Sequence, residues 1–208
     1  EKQRQKKYLM RKLLSQDGAS FTLCGTTIDK RGWKKEKLCK CVNLHTGTLP
    51  KTILDSGKYL FINAGCVPSG FVNEYNAEGD TITTPSRGQG GIGYVGYQLL
   101  PFWCGPLCYQ IHSTMRNLLN KYLFYYLFFN HKDIEDLKKV GTIPAVNAGD
   151  LGNLFILLPT LPEQRAIAQV LSAADKEMEL LQKSIEQEKQ KKKALMQLLL
   201  TGTVRIKI

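Results

Sequence analysis

The glycine-rich run at residues 88–93 is the first segment whose spacing could do chemistry. It satisfies the dinucleotide-binding pattern G-x-G-x-x-G. A phosphate-binding loop of that kind follows a strand and opens a helix, whereas a strand-like run at 94–97 follows this one. The context therefore favours a flexible turn over a nucleotide site. Its tip carries Ser86, Arg87 and Gln89, whose side chains can reach phosphates or base edges.

The cysteines and histidines lack the spacing of a metal or catalytic site. Cys39-x-Cys41 and Cys104-xxx-Cys108 could in principle pair as zinc ligands, but neither has the usual Cys-x-x-Cys spacing. The three histidines match no metal motif and no nucleophile motif. The sequence also contains no G-x-S-x-G elbow and no phosphate loop. It therefore favours a binding protein without a cofactor of its own, and an unrecognised enzyme is one alternative.

Length, composition and charge indicate one globular unit with an extension and an anionic partner. The chain has 208 residues, of which 43% are hydrophobic and 23% charged, so it can bury a core. No apolar stretch is long enough to span a membrane, which predicts a soluble intracellular protein. The net charge of +11 suggests nucleic acid as the partner. The middle of the chain has one basic cluster: Lys30, Arg31, Lys34, Lys35, Lys37 and Lys40.

Short strands and one aromatic helix are expected to position these side chains. Strand-prone runs bounded by turn residues lie at 59–62, 81–84 and 94–97. Residues 120–129 predict a buried helix, because aromatic side chains surround it on every side. The expected fold class is α+β, with a globular mixed α/β domain followed by a long helix.

That long helix is expected from Pro162 to about Leu200, where no residue breaks the pattern. Pro162 and Glu163 supply a favourable first turn, and Gly202 provides the stop. Apolar residues recur every 3.5 positions, which is the period of a coiled coil. A surface helix packed on its own domain is the alternative. The residues expected to meet a partner helix are Ile167, Leu171, Met178, Leu181, Ile185, Leu195 and Leu199.

The two ends of the chain repeat each other at an offset of 186 positions. Lys6, Lys7, Leu9, Met10, Leu13 and Leu14 correspond to Lys192, Lys193, Leu195, Met196, Leu199 and Leu200, with Ser15 opposite Thr201. Such a run of identities argues for duplication. Residues 1–18 are therefore expected to be the tail of a preceding long helix, before a domain at 19–161 and the helix and tail at 162–208.

The segment at 158–171, LPTLPEQRAIAQVL, closely resembles the C-terminal conserved region of Type I restriction-modification specificity subunits. The long helix ending in LLLTGTVR continues that resemblance. GKYLFINAG at 57–65, PSGFV at 68–72, GDTI at 79–82 and GTIPAVN at 141–147 are similar to landmarks of that family's target recognition domain. Together these segments cover nearly the whole chain.

The resemblance implies a non-catalytic protein that reads half of a bipartite site in double-stranded DNA. It also implies docking of modification subunits, which methylate adenine with S-adenosylmethionine, and of restriction subunits, which use ATP and Mg. In that family a full subunit has two recognition domains and two antiparallel long helices. One of each is present here, which implies a half subunit or a fragment, and a half must form a homodimer through its long helix.

The residues expected to contact DNA fall into two groups. Arg87 and Gln89 are expected to read bases in the major groove, where all four base pairs differ, with Ser86 and Ser69 similar in kind. Phosphate contacts are expected from Lys34, Lys35 and Lys58. A coiled-coil scaffold or interaction protein that never touches DNA is the alternative from another class.

Overall fold

The computed structural model describes residues 1–15, 20–64, 66–88, 91–139, 141 and 143–201. Its helices are α1 (Lys2–Leu14), α2 (Leu38–Cys41), α3 (Asn120–Phe129), α4 (His131–Asp136), α5 (Ala148–Gly152) and α6 (Leu161–Leu200). Its strands are β1 (Phe21–Leu23), β2 (Thr26–Ile28), β3 (Lys34–Lys37), β4 (Val42–Thr46), β5 (Tyr59–Ile62), β6 (Gly70–Val72), β7 (Thr81–Pro85), β8 (Gly96–Gln98), β9 (Trp103–Cys104), β10 (Cys108–Ser113) and β11 (Phe155–Leu158). This mixture confirms the expected α+β class.

The largest sheet of the described residues has four antiparallel strands in the order β4-β10-β7-β8. All five residues of β7 are buried, which fits a strand covered on both faces. A smaller sheet has the order β6-β5-β9, with β5 and β9 parallel. Strand β3 pairs with β11, and β1 forms a hairpin with β2. The two larger sheets lie side by side. The β3–β11 pair leads into the long helix, because β11 is the last strand before α6.

One hydrophobic core joins the four-stranded sheet to three helices. α3 contributes its buried tyrosines and leucines, and α1 contributes Met10, Leu13 and Leu14. The first turns of α6 add Ile167 and Leu171. One core is therefore shared by the three expected segments, 1–18, 19–161 and 162–208. Helical residues of the N-terminal and C-terminal segments pack on the domain between them.

Most of the expected elements lie where the sequence places them. The strand at 59–62 and the helix at 120–129 coincide with β5 and α3, and the run at 81–84 lies within β7. The run at 94–97 was predicted too early, because β8 begins at Gly96. A turn through residues 91–93 extends to Tyr94, whose N–H donates to the carbonyl of Gly91 at 3.0 Å.

α6 begins at Leu161, one residue before the expected start, and ends at Leu200. Thr160 caps its first turn: the Thr160 backbone N–H and hydroxyl each donate to the Glu163 carboxylate at 2.8 Å. The helix has 40 residues and is therefore about 60 Å long. Residues 181–200 are all exposed, so the helix extends beyond the core. No helix in the described part of the chain is long and apolar enough to cross a membrane.

The expected coiled-coil stripe divides into two parts, which corrects one prediction. Ile167 and Leu171 are completely buried in the chain's own core and are not available to a partner helix. The period could not reveal this, because packing on a domain and packing on a partner helix require the same apolar spacing. Met178 is half-buried beside α1. The exposed part of the stripe consists of Leu181, Ile185, Leu195 and Leu199.

Candidate nucleic-acid interface

Three loops meet beyond the ends of β5 and β7. We call them the loop cluster: residues 63–64 and 66–69, residues 86–88 and 91–94, and residues 143–147. The N–H of Gly88 donates to the carbonyl of Pro144 at 3.1 Å, and Arg87 forms a β-bridge with Ala145. A Cβ atom at Gly91 would lie 2.7 Å from the carbonyl oxygen of Ala64. The three loops therefore form one surface.

At two positions of the loop cluster, Gly91 and Gly93, a side chain would clash or would strain the backbone. Gly91 must remain without a side chain because the loop after β5 approaches so closely. Gly93 has a φ of +91°, a conformation that side-chain-bearing residues rarely adopt. The run also connects two neighbouring antiparallel strands rather than a strand and a helix. These features support the expected turn and leave no place for a dinucleotide-binding helix.

Arg87 is exposed at the centre of the loop cluster on a firmly held backbone. The preceding residue, Ser86, donates its N–H to the carbonyl of Leu107 and accepts from the N–H of Val146, both at 2.9 Å. Within the described part of the chain, the Arg87 guanidinium has no hydrogen bond or ion pair. A fixed backbone with an available guanidinium suits a bidentate contact to a phosphate or a guanine edge.

The other predicted residues of these loops differ in their placement. Ser86 is buried, so its side chain does not lie at the tip of the turn as the sequence suggested; the paired backbone on both sides holds it inside. Ser69 is exposed within the loop cluster, and its N–H donates to the carbonyl of Phe61 at 2.7 Å. Gln89 lies outside the described residues. DNA contact by Ser69 and by Gln89 stays a prediction.

The three lysines predicted to contact phosphate are exposed but lie away from the loop cluster. Lys34 and Lys35 belong to β3, opposite Leu158 and Leu157 of β11. Lys58 precedes β5, at the end of that strand opposite the loop cluster. The structure therefore does not bring these lysines together with Arg87.

Most side chains of the basic cluster at 30–40 have contacts within the chain, but only Arg31 and Lys40 pair with a carboxylate of the described residues. Lys30 is buried, and its ammonium donates to the carbonyls of Lys12 and Ser15 at 2.7 Å each. It thereby satisfies carbonyls at the C-terminal end of α1, where a cation is favourable. The other contacts join Arg31 to Asp29, Lys37 to Asn153 and Lys40 to Glu36. This segment is therefore not a continuous free basic patch.

The sequence interpretation missed two lysines beside the loop cluster and one tyrosine within it. Lys138 and Lys139 are exposed, and Lys139 pairs with Asp150 at 2.9 Å while its backbone bonds to Ala145. Tyr94 lies near Cys66, and burial is the main cause of its raised pKa. The signal for the lysines was available, since they precede the landmark at 141–147. Tyr94 was hidden because it was assigned to a strand.

Three of the six cysteines are buried and serve packing, and the other three are exposed. Cys104 and Cys108 are buried in the small core, and the thiol of Cys104 donates to the carbonyl of Cys108 at 3.3 Å. Cys41 is buried while Cys39 is exposed. Among the described residues, no group of three or more His, Cys, Asp and Glu side chains could hold a metal ion.

The PEQ segment at 162–164 joins the long helix to the domain that carries the loop cluster. Glu163 accepts from the backbone N–H of Asp29 at 2.8 Å and from the indole N–H of Trp33 at 3.2 Å. Burial alone would raise the pKa of this carboxyl, but hydrogen bonds from Thr160, Asp29 and Trp33 outweigh it and lower the pKa. The carboxylate thereby holds the β2–β3 connection against the start of α6.

Gln164 provides the second connection and is fully buried. Its amide oxygen accepts from the N–H of Leu119 at 2.9 Å, and its amide nitrogen donates to the carbonyls of Asn117 and Pro159 at 2.8 and 2.9 Å. These bonds fix the start of α6 to the segment that precedes α3. Both connections fix the direction in which α6 leaves the domain.

Comparison with known proteins identifies the class of this domain. The family of the Type I restriction modification DNA specificity domain matches residues 30–190. Because this match includes most of the chain, the chain belongs to that family. The resemblance first seen in the 158–171 segment is thereby confirmed, and the family assignment supports a non-catalytic specificity subunit.

Individual relatives agree with this assignment. A Mycoplasma pneumoniae protein named as a type I specificity subunit is 32% identical over 158 residues, which are 74% of this chain and 42% of the relative. A type I restriction enzyme specificity subunit of Methanocaldococcus jannaschii is 37% identical over 92 residues, 43% of this chain and 22% of the relative. The chain thus spans less than half the length of these curated relatives.

Solved structures show the same fold. The crystal structure of a Type-I restriction-modification system S subunit from M. genitalium superposes with a TM-score of 0.74 at 19% identity. The match covers 89% of this chain and 50% of that chain. It extends the family assignment to the arrangement of sheets and helices.

Proposed function

We propose that this chain reads one half of a bipartite site in double-stranded DNA with its loop cluster. The observation that carries the proposal is the exposed Arg87 guanidinium, held on a fixed backbone where three loops meet. Membership in a DNA specificity family supports it. The chain recognises the DNA, and its partner subunits carry out the catalysis.

Arg87 reads a base edge in the major groove, where guanine presents two acceptors that match its bidentate donors. Gln89 and Ser69 are further base contacts, and Lys138 lies beside the loop cluster. The phosphates on either side of this base pair are contacted by Lys34, Lys35 and Lys58. Exposed lysines away from the loop cluster hold the duplex in place without specifying its sequence.

The partners follow from the family and from the projecting helix. Modification and restriction subunits dock on this chain, and S-adenosylmethionine, ATP and Mg bind to them while this chain binds no cofactor. The complex acts in the cytoplasm. The exposed part of α6 mediates self-association into a homodimer, which supplies the second recognition domain. Its exposed apolar residues, from Leu181 to Leu199, support this part of the proposal.

The same exposed stripe favours a second candidate function, a coiled-coil scaffold that binds protein and never touches DNA. Sequence-selective duplex binding separates the two functions, because a basic chain also binds DNA non-specifically in a salt-dependent way. Specific DNA binding involves release of counterions, so its logarithmic affinity falls linearly with the logarithm of salt concentration. A scaffold without a DNA function shows no sequence-selective duplex binding at any salt concentration.

Arg87→Ala tests the proposed recognition after a duplex has been selected from random sequences. If Arg87 contacts a guanine edge, the cognate duplex should bind about 1–3 kcal/mol more weakly, with relaxed preference at one position of each half-site. If it contacts a phosphate, all duplexes should weaken alike and the salt slope should fall by about one unit per site. Fluorescence anisotropy across a salt series measures both quantities.

Arg116→Ala is the matched control, because Arg116 is also exposed but belongs to the segment that Gln164 connects to α6. It removes the same charge away from the loop cluster and should leave base preference unchanged. If Arg87→Ala folds normally and behaves like Arg116→Ala, the loop cluster is not the recognition surface.

A further inference from the structure

A closed ring of hydrogen bonds holds the residue that precedes Arg87. The N–H of Ser86 donates to the carbonyl of Leu107, and the carbonyl of Ser86 accepts from the N–H of Val146, both at 2.9 Å. The hydroxyl of Tyr109 then donates to the carbonyl of Val146 at 3.0 Å. Leu107 directly precedes β10, and Tyr109 is the second residue of that strand. The start of β10 therefore closes the ring, which we call the Ser86 ring.

The Tyr109 hydroxyl is the part of the Ser86 ring that depends on the type of side chain. The other groups of the ring are backbone N–H and carbonyl groups, which nearly every residue type supplies. Tyr109 is buried in the main core, whereas its neighbour Cys108 belongs to the smaller core, as expected for alternating residues of a strand. Packing around the aromatic ring thus fixes the place of the hydroxyl.

The Tyr109 hydroxyl also lies within electrostatic range of Arg87. Burial is the main cause of the raised pKa of Tyr109, while the backbone N–H of Ala148 and the positive charge of Arg87 oppose that effect. The raised pKa keeps the hydroxyl protonated at neutral pH, and the protonated form is the one that donates to a carbonyl. The bond that closes the Ser86 ring is therefore present at neutral pH.

The loop at 143–147 connects Tyr109 to the segment that carries Arg87. Arg87 forms a β-bridge with Ala145, and the N–H of Gly88 donates to the carbonyl of Pro144 at 3.1 Å. Paired backbones move together, so a displacement of this loop also displaces Arg87. The other edge of the loop pairs with Lys139 through backbone bonds at 2.9 and 3.4 Å. Loss of the Tyr109 bond should therefore shift the loop without releasing it.

We propose that Tyr109 is a positioning residue for DNA recognition, whose hydroxyl holds the 143–147 loop and thereby sets the direction of the Arg87 side chain. This inference rests on the proposed base reading by Arg87 and adds a residue that does not touch DNA. A bidentate contact needs two guanidinium donors aligned with one base edge, so a small shift of the backbone weakens it. Loss of the hydroxyl should therefore reduce base preference.

Tyr122→Phe is the matched control for Tyr109→Phe. The hydroxyl of Tyr122 donates to the carbonyl of Leu157 at 3.0 Å, and the side chain is fully buried in the same core. Tyr122 belongs to α3 and Leu157 to β11, and neither lies in the loop cluster. Each substitution removes one buried hydroxyl and leaves one carbonyl without that donor. Their effects on stability should be similar, and urea denaturation measures this.

Amide hydrogen exchange of the full chain, measured by NMR, tests the positioning without DNA. Tyr109→Phe should quicken exchange at the amides of Val146 and Gly88 by roughly threefold to tenfold, because both amides pair across the loop that loses its anchor. Tyr122→Phe should leave these two amides as they are in the wild type. If the two variants exchange alike at both amides, the hydroxyl does not hold the loop and the proposal is overturned.

The effect on recognition is measured with a duplex selected by the wild-type chain and with duplexes altered at one base pair. Tyr109→Phe should reduce the preference for the selected base pair by roughly threefold to tenfold, at the position that Arg87→Ala relaxes. Tyr122→Phe should reduce it by less than about twofold. The salt slope should not change in either variant, because no phosphate contact is removed. An unchanged preference in Tyr109→Phe, or an equal loss in both variants, overturns the proposal.

The double variant Arg87→Ala/Tyr109→Phe shows whether Tyr109 acts through Arg87. Residues that act through one contact are not additive. Once Arg87 is alanine, Tyr109→Phe should therefore change the affinity for the selected duplex by less than about twofold. Fully additive losses would mean that Tyr109 acts by another route, which overturns the positioning role.

Failure of this inference is distinguishable from failure of the proposed function. If Arg87→Ala leaves base preference unchanged, base reading by Arg87 is contradicted, and the role of Tyr109 fails with it. If Arg87→Ala relaxes base preference while Tyr109→Phe keeps it, only the positioning role of Tyr109 is contradicted.

Discussion

Glu163 shows at the residue scale how one carboxylate joins separate parts of the chain. It accepts hydrogen bonds from the N–H and hydroxyl of Thr160, from the N–H of Asp29 and from the indole of Trp33. Bonds from several donors stabilise the charged form, which accounts for the lowered pKa. The stability of the fold should therefore depend on the ionisation of this one group.

Replacing Glu163 with Gln should make that dependence visible. A folded pKa below the unfolded value stabilises the fold above the unfolded pKa, and this contribution is lost as the pH falls through the folded pKa. At neutral pH we expect Glu163→Gln to lower the free energy of unfolding by about 1–3 kcal/mol. The difference from wild type should shrink below the ordinary carboxyl value of 4.5. Urea denaturation across pH measures it.

Glu186→Gln is the control for this experiment, since Glu186 is exposed on the projecting part of α6. It should change stability little at any pH. A Glu163→Gln variant whose deficit is constant down to acidic pH would contradict the role assigned to the charge.

At the element scale, α6 is one helix whose two halves lie in different environments. Its first turns are core, and its last turns are exposed. The buried turns are fixed by Gln164, whose amide bonds to three backbone groups before α3 and α6. The direction of the projecting half therefore depends on this buried amide.

Gln164→Leu keeps the size of the side chain but removes all three bonds. The N–H of Leu119 and the carbonyls of Asn117 and Pro159 lose their partner, and we expect unfolding to become about 3 kcal/mol easier. Hydrogen exchange should also quicken in the first turns of α6. Gln169→Leu, at an exposed position of the same helix, should do neither. Equal exchange in the two variants would show that Gln164 does not fix the helix.

At the scale of the whole molecule, the described residues form one domain of the DNA specificity family and one projecting helix. A symmetric dimer through α6 presents two identical recognition domains in opposite orientations. The DNA selected by the dimer should therefore be an interrupted palindrome, with a spacer set by the distance between the two loop clusters. Selection from random duplexes followed by sequencing measures this. Two unrelated half-sequences would mean that the second recognition domain differs from this one.

The sequence predicts most of what depends on local period and local chemistry. Strand β5, helix α3 and both ends of α6 follow from runs of a few residues, because turn residues and apolar spacing act over short distances. The duplication and the family resemblance are also properties of the sequence alone. Arg87 could be selected because a polar tip on a glycine-rich turn is a local signal.

The tertiary structure decides everything that depends on which distant segments meet. Ile167 and Leu181 have the same spacing in one stripe, yet only Ile167 is buried, since the core that covers it comes from other parts of the chain. Lys30 looks like a surface cation until the carbonyls of α1 are placed beside it. The loop cluster likewise exists only because the loops after β5 and β7 meet, a non-local contact that no period in the sequence records.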